Sequence, residues 1–156
     1  MAPARSVRVL ICGERLRGDD GAAILAAEAL DGATRALAEI VHVGQLAVES
    51  LLDVPEGTAV IVADAAVGVA PGTVVTLPLE DVVRRIGAAP ASSHALPPDQ
   101  VIALAGELRG GLPHGSFVGI GAERLEFGEE LSAAVESSLA GFTATLADEI
   151  RRLAAG

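Results

Sequence analysis

The sequence predicts an α/β fold, a three-layer α/β/α sandwich with a mostly parallel twisted central sheet. Three observations carry this. Short apolar runs alternate along the chain with segments of helical periodicity. The run in "GTAVIVADA" is apolar on consecutive residues, as in a parallel strand covered on both faces. The chain has 156 residues, 51% of them apolar, and a mean hydropathy of +0.49, which is too apolar for disorder and long enough for one real core. With no repeat, low-complexity tract or linker in view, residues 1–156 are read as a single domain.

The elements follow in order. Val7–Cys12 is apolar throughout and reads as a buried strand; the chain then breaks at Gly13. An alanine-rich amphipathic stretch gives a helix over 20–30. A second strand is expected over 39–43 and a short helix over 46–52. The third strand spans 57–65. Pro71-Gly72 is a turn signal, and "PGTVVTLPL" after it alternates as an edge strand does. Residues 81–86 and Pro98–Arg109 look helical, with Pro97 and Pro98 where first-turn prolines are tolerated. A last strand is expected over 116–121. A closing helix follows over 129–153, with Leu131, Val135, Leu139, Phe142, Leu146, Ile150 and Leu153 at helical spacing.

Composition removes several function classes. No apolar run approaches the roughly 18–20 residues of a membrane span, and the apolar stretch near the N-terminus is too short for a secretory signal. A single cysteine excludes an internal disulfide and a cysteine-built zinc site, so the cytoplasm is the expected compartment. The net charge is −10, and all eleven basic residues are arginine. No basic face for nucleic acid is visible, while a basic partner peptide would suit the acidic balance.

In open α/β sheets, ligands bind beyond the carboxyl ends of the strands, where the strand order reverses. Two strands lead to acids there: the first into Asp19-Asp20, the third onto Asp64. His94, in "ASSHALPPD" ahead of a helix, is expected on a loop. Two carboxylates and an imidazole in one crevice would make an oxygen/nitrogen metal site. Each residue also has a plainer reading. Asp19 or Asp20 could cap the following helix, and His94 could be an ordinary surface histidine. Asp64 resists that treatment, because an acid closing a buried strand needs partners. His42 and His114 read as structural, and Cys12 as core, too deep in its strand to serve as a nucleophile. "GERLRGDDG" lacks the glycine spacing of a dinucleotide site. A phospho-accepting receiver domain would share the acid pattern but requires a lysine, and this chain has none.

At these residues the chain resembles the hydrogenase maturation proteases, endopeptidases that trim the C-terminus of the nickel-loaded large subunit of [NiFe] hydrogenase. The family's G-N-x-L-x-x-D-[DE]-G stands here as "GERLRGDDG". Its D-A strand end with a later P-G-T stands as "VADAAVGVAPGTV", and its S-x-H-x-L as "SSHALPPDQVIAL". Its late strand, L-S and long helix stand as "FVGIGAERLEFGEELSAAV". Four motifs in order cover nearly the whole chain. The resemblance implies a metal-dependent endopeptidase of aspartic or metallo type whose Asp20, Asp64 and His94 serve as both catalytic and metal-engaging residues. It implies nickel supplied by the precursor, with another divalent ion at rest as an alternative, and the large-subunit precursor as partner. Asp20 is then the metal-facing acid, and Asp19 supports the loop or caps the helix. The protein is expected to act as a monomer, without nucleic acid or membrane.

Two departures touch the expected cleft. Glu14 replaces the family's Asn and is expected to turn outward, with Arg15 or Arg17 as partner; the glycine-rich turn after the second strand reads "VGQLAVESLL". They leave open a second function class, a non-proteolytic metal-dependent binding or chaperone-like protein on the same scaffold.

Overall fold

The structure is a computed structural model that describes residues 4–85, 98–128 and 130–156. Five strands form one sheet: β1 (Val7–Cys12), β2 (Glu39–Gly44), β3 (Ala59–Ala66), β4 (Val74–Pro78) and β5 (Gly115–Gly121). Their spatial order is β2-β1-β3-β5-β4. All pairings are parallel except β4 with β5, which are antiparallel. The helices are α1 (Ala22–Glu28), α2 (Gly32–Arg35), α3 (Val48–Leu52), α4 (Leu79–Arg85), α5 (Pro98–Arg109) and α6 (Ala133–Ala154). The expected α/β class, sheet type and layering are all present.

Alternation along the central strands builds the two cores. Val7, Val9 and Ile11 of β1 and Ala59, Ile61 and Ala63 of β3 face α1 and α6. Leu10 and Cys12, with Val60, Val62 and Ala66, face α3, α4 and α5. Strands β1 and β3 are covered on both sides, which is why their sequences are apolar on consecutive residues. With two Phe side chains in the core and no Trp or Tyr in the chain, Val, Ile, Leu and Ala fill most of the interior.

The expected boundaries are shifted in a few places. A 3₁₀ turn over Gly18–Gly21 precedes α1, so the first helix starts at Ala22 and not at residue 20. Helix α2 was not foreseen; it is a single turn whose cap, Asp31, accepts from the Thr34 N–H at 2.7 Å. Strand β3 runs two residues past Asp64, because Ala65 and Ala66 continue to pair with Ile120 and Gly121 of β5. Helix α6 begins at Ala133, where the Ser132 hydroxyl caps it by accepting from Val135 N–H. Strand β4 is an edge strand, and Pro78 ends it where a missing N–H costs nothing.

Candidate active site

Strands β1 and β3 are neighbours, and the chain leaves β1 towards β2 on one side and reaches β3 on the other. The crevice at their carboxyl ends is therefore the switch point, and both expected acids are there. The loop after β1 is folded tightly by Gly13, whose φ of +115° favours glycine and where a Cβ would stand 1.9 Å from the Asp20 carbonyl oxygen. Gly13 N–H donates to Gly44 O at 2.6 Å, tying this loop to the end of β2. The loop closes on itself when the Glu14 N–H donates to Asp20 Oδ2 at 2.8 Å, which turns that carboxylate back towards the strand end.

Asp64 occupies the same alternate positions of β3 as Val60, Val62 and Ala66, so its side chain turns to the α3, α4 and α5 face. Its own neighbour Ala65 donates an N–H to Oδ1 at 2.8 Å. Burial, and then the charge of Asp20, push the Asp64 carboxyl up to about 8, against the smaller opposing effect of the Ala65 hydrogen bond. Burial also raises Asp20, opposed by the Glu14 N–H and by Arg17, with Glu14's carboxylate adding a smaller upward push. The two acids are thus close enough to feel each other. Cys12 lies beneath them; burial first, then Asp64 and Asp20, raise its thiol well above the ordinary value. It is a protonated core thiol, consistent with its reading as structural.

The adjacent acids divide their work. Asp19 is fully buried and faces away from this crevice into the loop after β5. It accepts from Glu123 N–H and Arg124 N–H at 2.8 Å each, from Ser132 N–H at 2.7 Å and from the Ser132 hydroxyl at 2.8 Å. Burial pushes its carboxyl up, but these bonds together outweigh it and hold the group below the ordinary value. Asp19 supports the loop and does not cap α1, whose start has no side-chain cap.

Glu14 is exposed, as expected, but not paired as expected. Arg15 reaches Glu28 at 2.6 Å, and Arg17 acts on Asp20. The Glu14 Oε1 lies instead over Gly44, 3.5 Å from where a Cβ would stand. His42 and His114 are exposed, on β2 and in the turn before β5. His94 lies outside the described residues. The segment that carries it joins α4 to α5, and both helices pack on the face to which Asp64 turns. Among the described residues, no cluster of three or more His, Cys, Asp and Glu side chains forms a metal centre. A cleft of about 470 Å³ lined by Arg5, Glu56, Arg109 and His114 sits at the opposite, amino-terminal edge of the sheet and is separate from the acids.

The model of the hydrogenase maturation protease family (HycI) matches residues 24–149, most of the chain. The chain belongs to the hydrogenase maturation protease family. Among solved structures, this maturation protease is similar to the hydrogenase-maturating endopeptidase HybD from E. coli, with 26% identity and a TM-score of 0.75 over 94% of this chain and 93% of that one. A second endopeptidase structure from Escherichia coli matches at 26% identity and a TM-score of 0.71, covering 93% of each chain. The [NiFe] hydrogenase maturation protease HycI from Thermococcus kodakarensis KOD1, at 21% identity, shares the fold with a TM-score of 0.65 over 95% and 94% of the two chains. No curated protein matches. The maturation protease is accordingly a hydrolase acting as an endopeptidase, and no described helix is long and apolar enough to cross a membrane.

Proposed function

We propose that this protease removes the C-terminal extension of the large-subunit precursor of a [NiFe] hydrogenase, and that Asp20, Asp64 and His94 engage nickel already seated in that precursor. The observation that carries the reading is the meeting of Asp20 and Asp64 at the switch point, where the charge of Asp20 adds to burial in raising the proton affinity of Asp64. Two oxygen donors that disfavour each other's charge form a pocket that a cation relieves. The Glu14 N–H and Ala65 N–H hold the two carboxylates in place before any ion arrives. Nickel brought by the substrate would supply positive charge and coordination positions for groups of the precursor. The chain's part is then to orient the precursor so that the scissile bond lies in the crevice. A cytoplasmic monomer without nucleic acid belongs to the same proposal, as does another divalent ion bound at rest.

Replacing Asp20, Asp64 or His94 with Ala is expected to abolish processing of a nickel-loaded precursor, read as the mobility shift of the large subunit on a gel. Nickel-free precursor is expected to remain uncut by the wild-type protein. Equal cutting of both precursor forms would rule out metal-gated recognition, and full activity of His94→Ala would remove that residue from the site.

A further inference from the structure

Two of the chain's three aromatic residues, Phe117 and Phe142, are buried, whereas Phe127 is 87% exposed. Leu16 and Val67 are also exposed, at 48% and 47%. These three side chains lie on the loops after β5, β1 and β3, around the strand ends that carry Asp20 and Asp64. Leu16 and Phe127 are brought together by backbone bonds. Gly128 N–H donates to Leu16 O, and Gly18 N–H donates to Gly128 O, both at 2.7 Å, forming a parallel bridge between Arg17 and Gly128. In parallel register the residues preceding the bridge partners stand side by side, which pairs Leu16 with Phe127.

The exposure of Phe127 is built in. Its loop is bolted to the interior by the Asp19 carboxylate through Glu123, Arg124 and Ser132. A phenyl ring held in water forgoes the gain of burial, and with Leu16 beside it the ring forms a contiguous apolar patch of the kind that marks an interaction surface. Its surroundings are acidic. Arg15 is paired with Glu28, Arg124 faces Glu130 at 4.0 Å, and Arg17 acts on Asp20. Among the described residues, exposed Glu14, Glu123 and Glu126 make no ion pair.

We infer that Leu16, Phe127 and Val67 form a docking rim for an apolar side chain flanked by Lys or Arg on the precursor segment beside the scissile bond. The occupant follows from the acidic border and from continuity with the crevice, and the inference rests on the protease reading above. Apolar contact supplies the anchor, and the surrounding carboxylates select basic neighbours.

The chain has no Trp or Tyr, so Phe127→Trp creates a single fluorophore on the rim. Its emission is expected to shift to the blue when precursor is added. Phe127→Ser is expected to raise the precursor concentration for half-maximal processing about tenfold or more. A control, Leu108→Ser, alters an exposed leucine near the C-terminal end of α5 and is expected to leave that concentration within about twofold. Raising ionic strength from about 0.05 to 0.5 M should weaken wild-type docking. Processing with unshifted emission, or a Phe127→Ser value matching wild type, would overturn the rim. A blue shift that grows with protein concentration alone would assign the surface to a second copy and also overturn it. A shift with precursor that stays uncut would uphold docking and sink the protease reading.

Discussion

Asp64 is where the sheet places a charge in conflict with its surroundings. Val62 and Ala66 flank it on the same face of β3 and Cys12 lies close by, so the ionised form loses water without gaining a cation. In the unfolded chain the group has an ordinary carboxyl pKa near about 4, while in the fold it is raised to about 8. Between those values the folded protein holds a proton that the unfolded chain has released, so stability falls as pH rises through this window. Asp64→Asn, which imitates the protonated acid, is expected to stabilise the metal-free protein by about 1–3 kcal/mol near pH 7.5, with the gain vanishing by about pH 4, after allowing for partial exposure. Urea unfolding with chelator at several pH values checks this, and a gain independent of pH would reject the cause given. The acid at the end of an apolar run was legible as anomalous in the sequence. The split between Asp19 and Asp20 came from the resemblance and not from the pattern of residues, because adjacent residues of like chemistry differ only in which way the turn aims them.

Two loops are coupled into one by a single buried carboxylate. Asp19, in the turn before α1, neutralises donors from the β5–α6 connection and holds the cap residue of α6, while Ser132 itself caps that helix. Asp19→Ala leaves one buried and two half-buried N–H groups without their acceptor and is expected to cost roughly 2–4 kcal/mol. Ser132→Ala removes the cap and one bond to Asp19, at about 1–2 kcal/mol. Because the two side chains share a bond, the double variant is expected to cost less than the sum; additive losses in urea titrations would contradict the shared network. Asp19 contributes through a lowered carboxyl value, so its contribution is present above the unfolded pKa and is lost as pH falls through the folded one. At the other edge, Arg109 of α5 donates to Leu51 O and Val54 O at 2.9 Å each and satisfies the end of α3. The existence of these helices was readable from periodicity. Their ends were less so, since the 3₁₀ turn and Ser132 are fixed by partners across the molecule.

Across the whole molecule the proposed site and the Glu149 network lie at opposite edges of the sheet. The carboxyl edge carries Asp20, Asp64 and the apolar rim. The amino edge carries a buried acid, Glu149 of α6, which accepts from the Ser116 hydroxyl and from both Arg152 Nε, at 2.7 Å, and Nη2, at 2.8 Å. The Arg152 hydrogen bond is the main reason its carboxyl lies below the ordinary value; burial opposes it and Ser116 adds to it. Glu149→Gln is expected to lose about 1–3 kcal/mol above pH 5, the loss shrinking as pH falls below about 4, since the native contribution disappears as the folded acid protonates. Precursor processing at a temperature where the variant remains folded should be unchanged. A selective fall in processing with stability intact would show that the two edges are coupled.

The sequence by itself determined the α/β class, the places of all five strands and the burial of β1 and β3 on both faces. It also marked Asp64 at the end of one strand and the Asp19-Asp20 pair in the loop after another. These follow from short-range periodicity and from the cost of a carboxylate after an apolar strand, both of which act within a few residues. Only the tertiary structure decided that Asp19 turns inward, that β4 runs antiparallel to β5, and that the loop carrying Phe127 stands beside Leu16. The partners that aim Asp19 lie 104 to 113 residues along the chain, and a local pattern holds no record of which distant N–H a carboxylate will meet.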